Sequence, residues 1–76
     1  MNKERRKSLQ DIKDQLEELK ASLEGIQAEE EEYRDNMPEN MQGGEKYGKA
    51  EEAVGNIEEA AGSLGEAIDC IEAAME

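Results

Sequence analysis

Apolar residues recur at alternating steps of three and four along the first half of the chain, up to Met37. This is the a and d spacing of a heptad repeat, labelled a to g, and it predicts an amphipathic helix over residues 9–37. Pro38 stops that helix because it lacks a backbone N–H and restricts the residue before it. Glu30 is the single polar member of the series. The apolar members are Leu9, Ile12, Leu16, Leu19, Leu23, Ile26, Tyr33 and Met37.

A second heptad series begins at Tyr47 and runs to the end of the chain, which predicts a helix over residues 47–76. Alanine occupies every g position of this series and glycine recurs at b. Each interior glycine costs roughly 1 kcal/mol against alanine, and the b glycines either mark close approach by another helix or weaken this one. The a and d members after Tyr47 are Ala50, Val54, Ile57, Ala61, Leu64, Ile68, Ile71 and Met75.

The segment between the two series, residues 38–46, has the composition of a turn and includes the Gly43-Gly44 pair. Two helices of similar length with a short connector are expected to fold back on each other. In an antiparallel pair the e positions face each other across the seam, which favours one register over a slip of one heptad. The expected e pairs are Lys13 with Glu72, Lys20 with Gly65, Gln27 with Glu58 and Arg34 with Glu51.

The a, d and g columns of the second helix form an apolar face wider than one partner helix covers. A hairpin of this size has no closed core, so the pattern predicts a second copy and a four-helix bundle. The alternative is a hairpin whose open face binds a different protein. The predicted fold is therefore all-α, an antiparallel two-helix coiled-coil hairpin that pairs into a bundle. The predicted core and self-association residues are Leu9, Ile12, Leu16, Leu19, Leu23, Ile26, Val54, Ile57, Leu64, Ile68 and Ile71.

Charge is distributed unevenly along the chain. Residues 1–8 contain four basic residues and one acidic residue, and they are predicted to form a basic N-terminal arm, because positive charge is unfavourable at the start of a helix. The whole chain has 21 acidic and 9 basic residues and a net charge of -12. A polyanion is repelled by nucleic acid and by anionic membranes, so neither is an expected direct partner.

Residue types exclude most catalytic chemistry. The chain has no His and one Cys, so it lacks the ligands of a structural zinc site and the usual base of acid–base catalysis. The lone Cys70 favours a reducing compartment, and we expect the cytoplasm. Glu66 and Asp69 form an E-x-x-D pair like those that hold magnesium in some all-α nucleotide pyrophosphatases, but their f and b positions point away from the seam. We therefore predict no enzymatic activity, metal or cofactor.

The acidic residues off the seam are candidates for binding a basic protein. The densest run, Glu29–Glu32, is interpreted as a cation site, as a mimic of phosphate charge or as a solvated helix face. Tyr33 and Tyr47 lie near the turn, where they either close the end of the bundle or anchor a partner. The candidate partner surface comprises Glu29, Glu31, Glu32, Glu52, Glu59, Glu66 and Asp69.

The linker Asp35-Asn36-Met37-Pro38-Glu39-Asn40-Met41-Gln42, followed by an acidic, Ala-rich heptad helix, resembles small uncharacterised proteins of Firmicutes bacteria, their phages and mobile elements. The resemblance covers most of the chain, and the linker is its specific part. It implies no established activity, although a phage or mobile-element setting favours an anti-defence or regulatory role.

Two functions remain open from the sequence. The first is a non-enzymatic module in which the acidic hairpin binds a basic protein, including as a DNA mimic that inhibits a nucleic-acid-binding or phage-defence protein. The second is a structural homo-oligomeric coiled coil or adaptor whose charge serves solubility only.

Overall fold

The computed structural model describes all 76 residues and contains two long helices and no strand. Helix α1 spans Lys3–Asp35 and helix α2 spans Glu45–Met75, with one turn of 3₁₀ helix at Glu39–Met41 between them. The helices pack antiparallel and form a rod of 60 × 14 × 13 Å, in which the first turns of α1 extend past the end of α2. The prediction of an all-α two-helix hairpin is confirmed.

Helix α1 begins earlier than the heptad series indicated. The Asn2 side chain accepts a hydrogen bond from the Arg5 backbone N–H at 2.8 Å, and Glu4 lies in the first turn. An Asn cap stabilises a helix start by about 1 kcal/mol, and an acidic first-turn residue interacts favourably with the helix dipole. Residues 1–8 were predicted to form a separate basic arm. The structure differs, because the helix begins at Lys3 and includes the basic residues of that segment.

The turn satisfies its backbone groups locally. The Asn36 N–H donates to the Glu32 carbonyl at 2.9 Å and closes α1, and the Met41 N–H donates to the Pro38 carbonyl at 2.8 Å. Gly44 caps α2 in an extended conformation, and a Cβ at this position would lie 3.2 Å from the Met41 carbonyl oxygen. The glycine therefore permits a close approach at the turn, and α2 starts at residue 45 rather than 47.

The seam between the helices is narrow and is formed mainly by α2. Five residues are buried, four of them on α2, and α1 has none within its span. The a column of α1 is half-buried at Leu9, Leu16 and Leu23, as is the rest of the α2 d column after Ala50. The buried residues are Met37, Ala50, Val54, Ala61 and Ile68.

The d column of α1 does not enter the seam. Ile12 is 46% exposed, Leu19 56% and Ile26 51%, so the single hairpin leaves these predicted core and self-association residues uncovered. The e residues Lys13 and Lys20 are half-buried instead. Helix α1 is thus turned about its axis toward its e column, because lysine stems cover apolar surface while their ammonium groups stay in water.

Candidate functional site: two flanks of the hairpin

One long side of the hairpin is identified by the contacts between its e columns. The Lys13 ammonium lies 3.1 Å from a Glu72 carboxylate oxygen. The Lys20 Cε lies 3.4 Å from where a Cβ on Gly65 would be, so the lysine stem lies against the glycine. Both pairs match the predicted register, which is confirmed at these two levels of the seam.

We call this side the charged flank. Residues seven apart complete nearly two helical turns and share one side of a helix, so each e contact places its whole column, and the neighbouring b column follows it. Within α1, Lys13 also bridges to Glu17 at 3.5 Å and Lys20 to Glu24 at 3.2 Å. The carboxylates of the charged flank are Glu17, Glu24, Glu31, Glu51, Glu58, Asp69 and Glu72.

Two of the predicted e pairs are replaced by contacts within α1. Arg34 Nε donates to Asp35 at 3.0 Å, and Gln27 donates to Glu31 at 3.2 Å, so neither side chain bonds across the seam. Glu31 is four residues from Gln27 on the same side of α1, so the Gln27 side chain reaches it without crossing to α2. No hydrogen bond or ion pair therefore joins Arg34 to Glu51 or Gln27 to Glu58, although the register places them at the same levels of the seam.

Two cations on this flank titrate above their ordinary values. The hydrogen bond to Glu72, followed by the charges of Glu72 and Glu17, raises the pKa of Lys13 against the opposing effect of desolvation. The hydrogen bond to Asp35 similarly raises the pKa of Arg34. Both cations are neutralised by acidic neighbours, so the outward field of the charged flank is dominated by its remaining carboxylates.

The candidate acidic surface is divided among four parts of the rod. Glu31 and Asp69 lie on the charged flank, and the f column of α2 adjoins it on the outer back of that helix. That f column contains Glu45, Glu52, Glu59 and Glu66, all exposed. Glu32 lies on the back of α1, whereas Glu29 lies at the edge of the opposite side.

The opposite long side is identified by a groove at its turn end. The groove has a volume of about 340 Å³ and is lined by residues of both helices, so Tyr33 and Ala53 must face the same side of the hairpin. The half-buried Glu30 also lines the groove, as do two lysines of α2. The lining residues are Glu30, Tyr33, Lys46, Lys49, Ala50 and Ala53.

We call this side the apolar flank. Steps of seven residues from Tyr33 and Ala53 carry it along most of the rod, with large side chains from α1 beside alanines from α2. The large side chains are about half exposed, and Tyr33 is 52% exposed. The apolar flank consists of Ile12, Leu19, Ile26 and Tyr33 together with Ala53, Ala60, Ala67 and Ala74.

The border of the apolar flank is almost uncharged. On α1 it is the g column and on α2 it is the c column, and apart from Glu29 and Lys49 their members within the seam are neutral. The carboxylates of the hairpin are therefore concentrated away from this side. The neutral border residues are Ser8, Gln15 and Ser22 on α1 and Asn56, Ser63 and Cys70 on α2.

The glycines of the α2 b column have open space around them. A Cβ at Gly48, Gly55 or Gly62 would meet no atom within 4 Å. They therefore do not serve a close approach by α1. Approach by a helix of another chain, or a weakening of α2, stay predictions for these positions.

The side chains are not grouped as a metal site or a membrane-spanning helix would require. No cluster of three His, Cys, Asp or Glu side chains is placed to hold a metal ion, and neither helix is apolar enough along its length to cross a membrane. Cys70 is exposed and unpaired at the border of the apolar flank. The two flanks are accordingly the surfaces on which a function can be built.

The sequence predicted the residues of the apolar flank but not their exposure. A heptad stripe has the same spacing in the sequence whether its partner helix covers it fully or partly. Periodicity alone therefore did not show that α1 turns its e column, rather than its d column, toward α2. The lysines at e, opposite Gly65 and Glu72, are the signal that could have done so.

No family model matches this chain, and neither does any curated protein or solved structure. The kinship indicated by the linker stays a prediction.

Proposed function

We propose that the protein is a non-enzymatic interaction module that binds a basic protein through the charged flank and the adjoining f column of α2. The supporting observation is the spacing of exposed carboxylates on α2. Glu45, Glu52, Glu59 and Glu66 recur every seven residues, or roughly every 10.5 Å along the helix. A regular acidic row steers association with a basic surface.

The partner class we propose is a nucleic-acid-binding protein, with the hairpin as a partial mimic of DNA. The net charge of -12 over a 60 Å rod gives one negative charge per 5 Å, since 60 divided by 12 is 5. Duplex DNA carries about one per 1.7 Å. At roughly a third of that density, the field of the hairpin attracts the basic DNA-binding groove of a protein, and tight binding additionally requires contacts of matching shape.

A setting in Firmicutes bacteria, phages or mobile elements, which the linker implies, would make a host defence protein one such partner. A cytoplasmic location is part of the same proposal. Its support is the free, exposed Cys70, since a reducing compartment keeps a lone thiol unpaired.

The experiment is a pull-down from a Firmicutes host lysate with mass spectrometry at low and high salt. Glu52→Gln, Glu59→Gln and Glu66→Gln, made together, are expected to abolish capture of a basic protein. A control with the same net charge neutralises three exposed acids on the back of α1 and should retain capture. Its substitutions are Glu4→Gln, Asp11→Asn and Glu18→Gln.

The bound protein should be released by salt and by competing duplex DNA. Capture that is the same at both salt concentrations would contradict the proposal. The alternative, a structural homo-oligomer or adaptor whose charge serves solubility only, is favoured by the exposed apolar flank. It predicts a stable oligomer and no captured protein.

A further inference from the structure

We propose that a second copy of this chain covers the apolar flank, with the turn of each hairpin against the free helix ends of the other. The two hairpins then form a four-helix bundle with a two-fold axis perpendicular to the rod. Each α1 lies antiparallel over the other α1, and each α2 over the other α2. This proposal concerns the apolar flank and stands independently of what binds the charged flank.

The surface area of the hairpin supports a second copy as the occupant. The chain exposes 5618 Å², whereas a compact monomer of 8.5 kDa exposes about 4,700 Å². The excess of about 900 Å² is close to the roughly 800 Å² per partner that a stable protein interface buries.

The distribution of charge removes the main obstacle to self-association. Two copies with a net charge of -12 each repel one another, but apart from Glu29 and Glu30 at the turn end their helix carboxylates lie on the charged flanks and helix backs. Pairing through the apolar flanks puts the neutral borders in contact and turns the acidic columns outward. The repelling charges are then separated by the thickness of the bundle and screened by solvent.

Charge also selects the direction of the second copy. Residues 29–32 are four consecutive glutamates near the turn, whereas residues 3–7 at the free end contain four basic residues and one acidic residue. Hairpins with their turns at the same end would set the two glutamate runs side by side. Hairpins with opposite directions set the basic start of α1 beside the glutamate run of the other copy.

The d column of α1 fits that direction by its own symmetry. Arg5, Ile12, Leu19, Ile26 and Tyr33 are seven apart and centred on Leu19. A two-fold axis at Leu19 sets Leu19 of one copy over Leu19 of the other, and isoleucines meet at the next level on each side. At the tips, an Arg5 guanidinium meets a Tyr33 ring, which is a favourable cation–π pair.

Sedimentation equilibrium measures the association directly. The wild-type chain is expected to have twice the 8.5 kDa chain mass at micromolar concentration. Leu19→Lys should raise the dimer dissociation constant at least about 30-fold, since it places charge at the centre of the interface. Ala60→Lys on α2 should raise it as well, while Ala28→Lys, an exposed alanine on the far side of α1, should leave it unchanged.

All three lysine variants lower the net negative charge, so added repulsion cannot explain a loss of dimer. The substituted side chains are exposed in the single hairpin, and circular dichroism checks that each variant retains its helices. A monomeric wild-type chain, a larger oligomer, or equal effects of Ala60→Lys and Ala28→Lys would overturn the proposal.

Oxidative crosslinking tests the register in a Cys70→Ser background. Leu19→Cys should form a disulfide-linked dimer because the two copies of this position meet on the axis. Ile12→Cys alone should not, because its two copies lie roughly 21 Å apart along the bundle, but it should crosslink when mixed with Ile26→Cys. Crosslinking of Ile12→Cys alone, or none at Leu19→Cys, overturns the two-fold arrangement.

Discussion

The two flanks of the hairpin derive from the same pair of heptad repeats and have opposite physical characters. The charged flank has carboxylates at b and e, whereas the apolar flank has isoleucine, leucine and tyrosine from α1 beside alanine from α2. The rotation of α1 toward its e column created this difference. A chain with a net charge of -12 can therefore still present one neutral, apolar side.

The largest expected effect is on stability, and it differs between a substitution in the seam and one on the apolar flank. Ile68 is 7% exposed and Leu19 is 56% exposed. Ile68→Ala should lower the free energy of unfolding by about 2–4 kcal/mol, since it leaves a cavity in the seam. Leu19→Ala should lower the free energy of unfolding by less than this in dilute protein. At concentrations where the dimer forms, its effect on the free energy of unfolding should be larger than in dilute protein.

Urea denaturation followed by circular dichroism, at two protein concentrations, measures both variants. Equal costs for Ile68→Ala and Leu19→Ala in dilute protein would mean that α1 is not turned as described.

Salt should act in opposite directions on the two flanks. Raising the salt concentration screens the repulsion between copies and should strengthen dimerisation through the apolar flank. The same change should weaken binding of a basic partner to the charged flank, on the order of tenfold or about 1.4 kcal/mol.

Sedimentation equilibrium and partner capture, run at matched salt concentrations, provide the two readouts. If both associations weakened with salt, ion pairs rather than apolar contact would dominate the dimer.

A smaller effect tests the glycines of the α2 b column. Gly55→Ala and Gly62→Ala should each stabilise the hairpin by about 0.8–1 kcal/mol, because the new methyl group meets no atom within 4 Å. Gly65→Ala is the matched comparison in the seam, where the methyl group would lie 3.4 Å from Lys20 Cε and should gain less.

Thermal unfolding resolves these differences. A loss of stability at Gly55→Ala or Gly62→Ala would indicate that another surface approaches the b column, most directly in an oligomer packed through that side.

The smallest effect concerns the ion pair of the charged flank. Folding raises the pKa of Lys13 above its ordinary value of 10.5, mainly through Glu72, so the pair stabilises the fold below that pH. The contribution is lost as the pH rises through the folded-state pKa. Lys13→Met should therefore reduce the loss of stability above pH 10.5.

Denaturation of wild type and Lys13→Met at neutral and strongly alkaline pH isolates this residue from the other titrating groups. Identical pH dependence of stability in the two proteins would show that the Lys13–Glu72 pair does not contribute to it.

The register of the seam could be predicted because charge and size agree at several levels of the sequence. The Lys13–Glu72 pair and the Lys20–Gly65 contact follow from placing the e columns opposite each other about the Gly43-Gly44 turn. The start of α1 was missed although Asn2 is a strong capping residue, because the heptad pattern begins only at Leu9.

The exposure of the α1 d column could not be predicted from the pattern. The spacing of Ile12, Leu19 and Ile26 is the same whether that column faces α2 or solvent. The acidic candidates were likewise identified by type, yet Glu29 and Glu31 lie toward opposite sides of the rod. A local charge run covers all sides of a helix, so its surface depends on how the helix is turned.

By itself the sequence determined two helices, the turn between them, their antiparallel register and the acidic character of the chain. Those features follow from periodicity, from proline and glycine, and from pairs at fixed spacing. Only the tertiary structure decided which edge of α1 closes against α2 and which stays open. The physical reason is that one helix covers only part of an apolar stripe, so the packing of lysine stems against α2 selects the part that is buried.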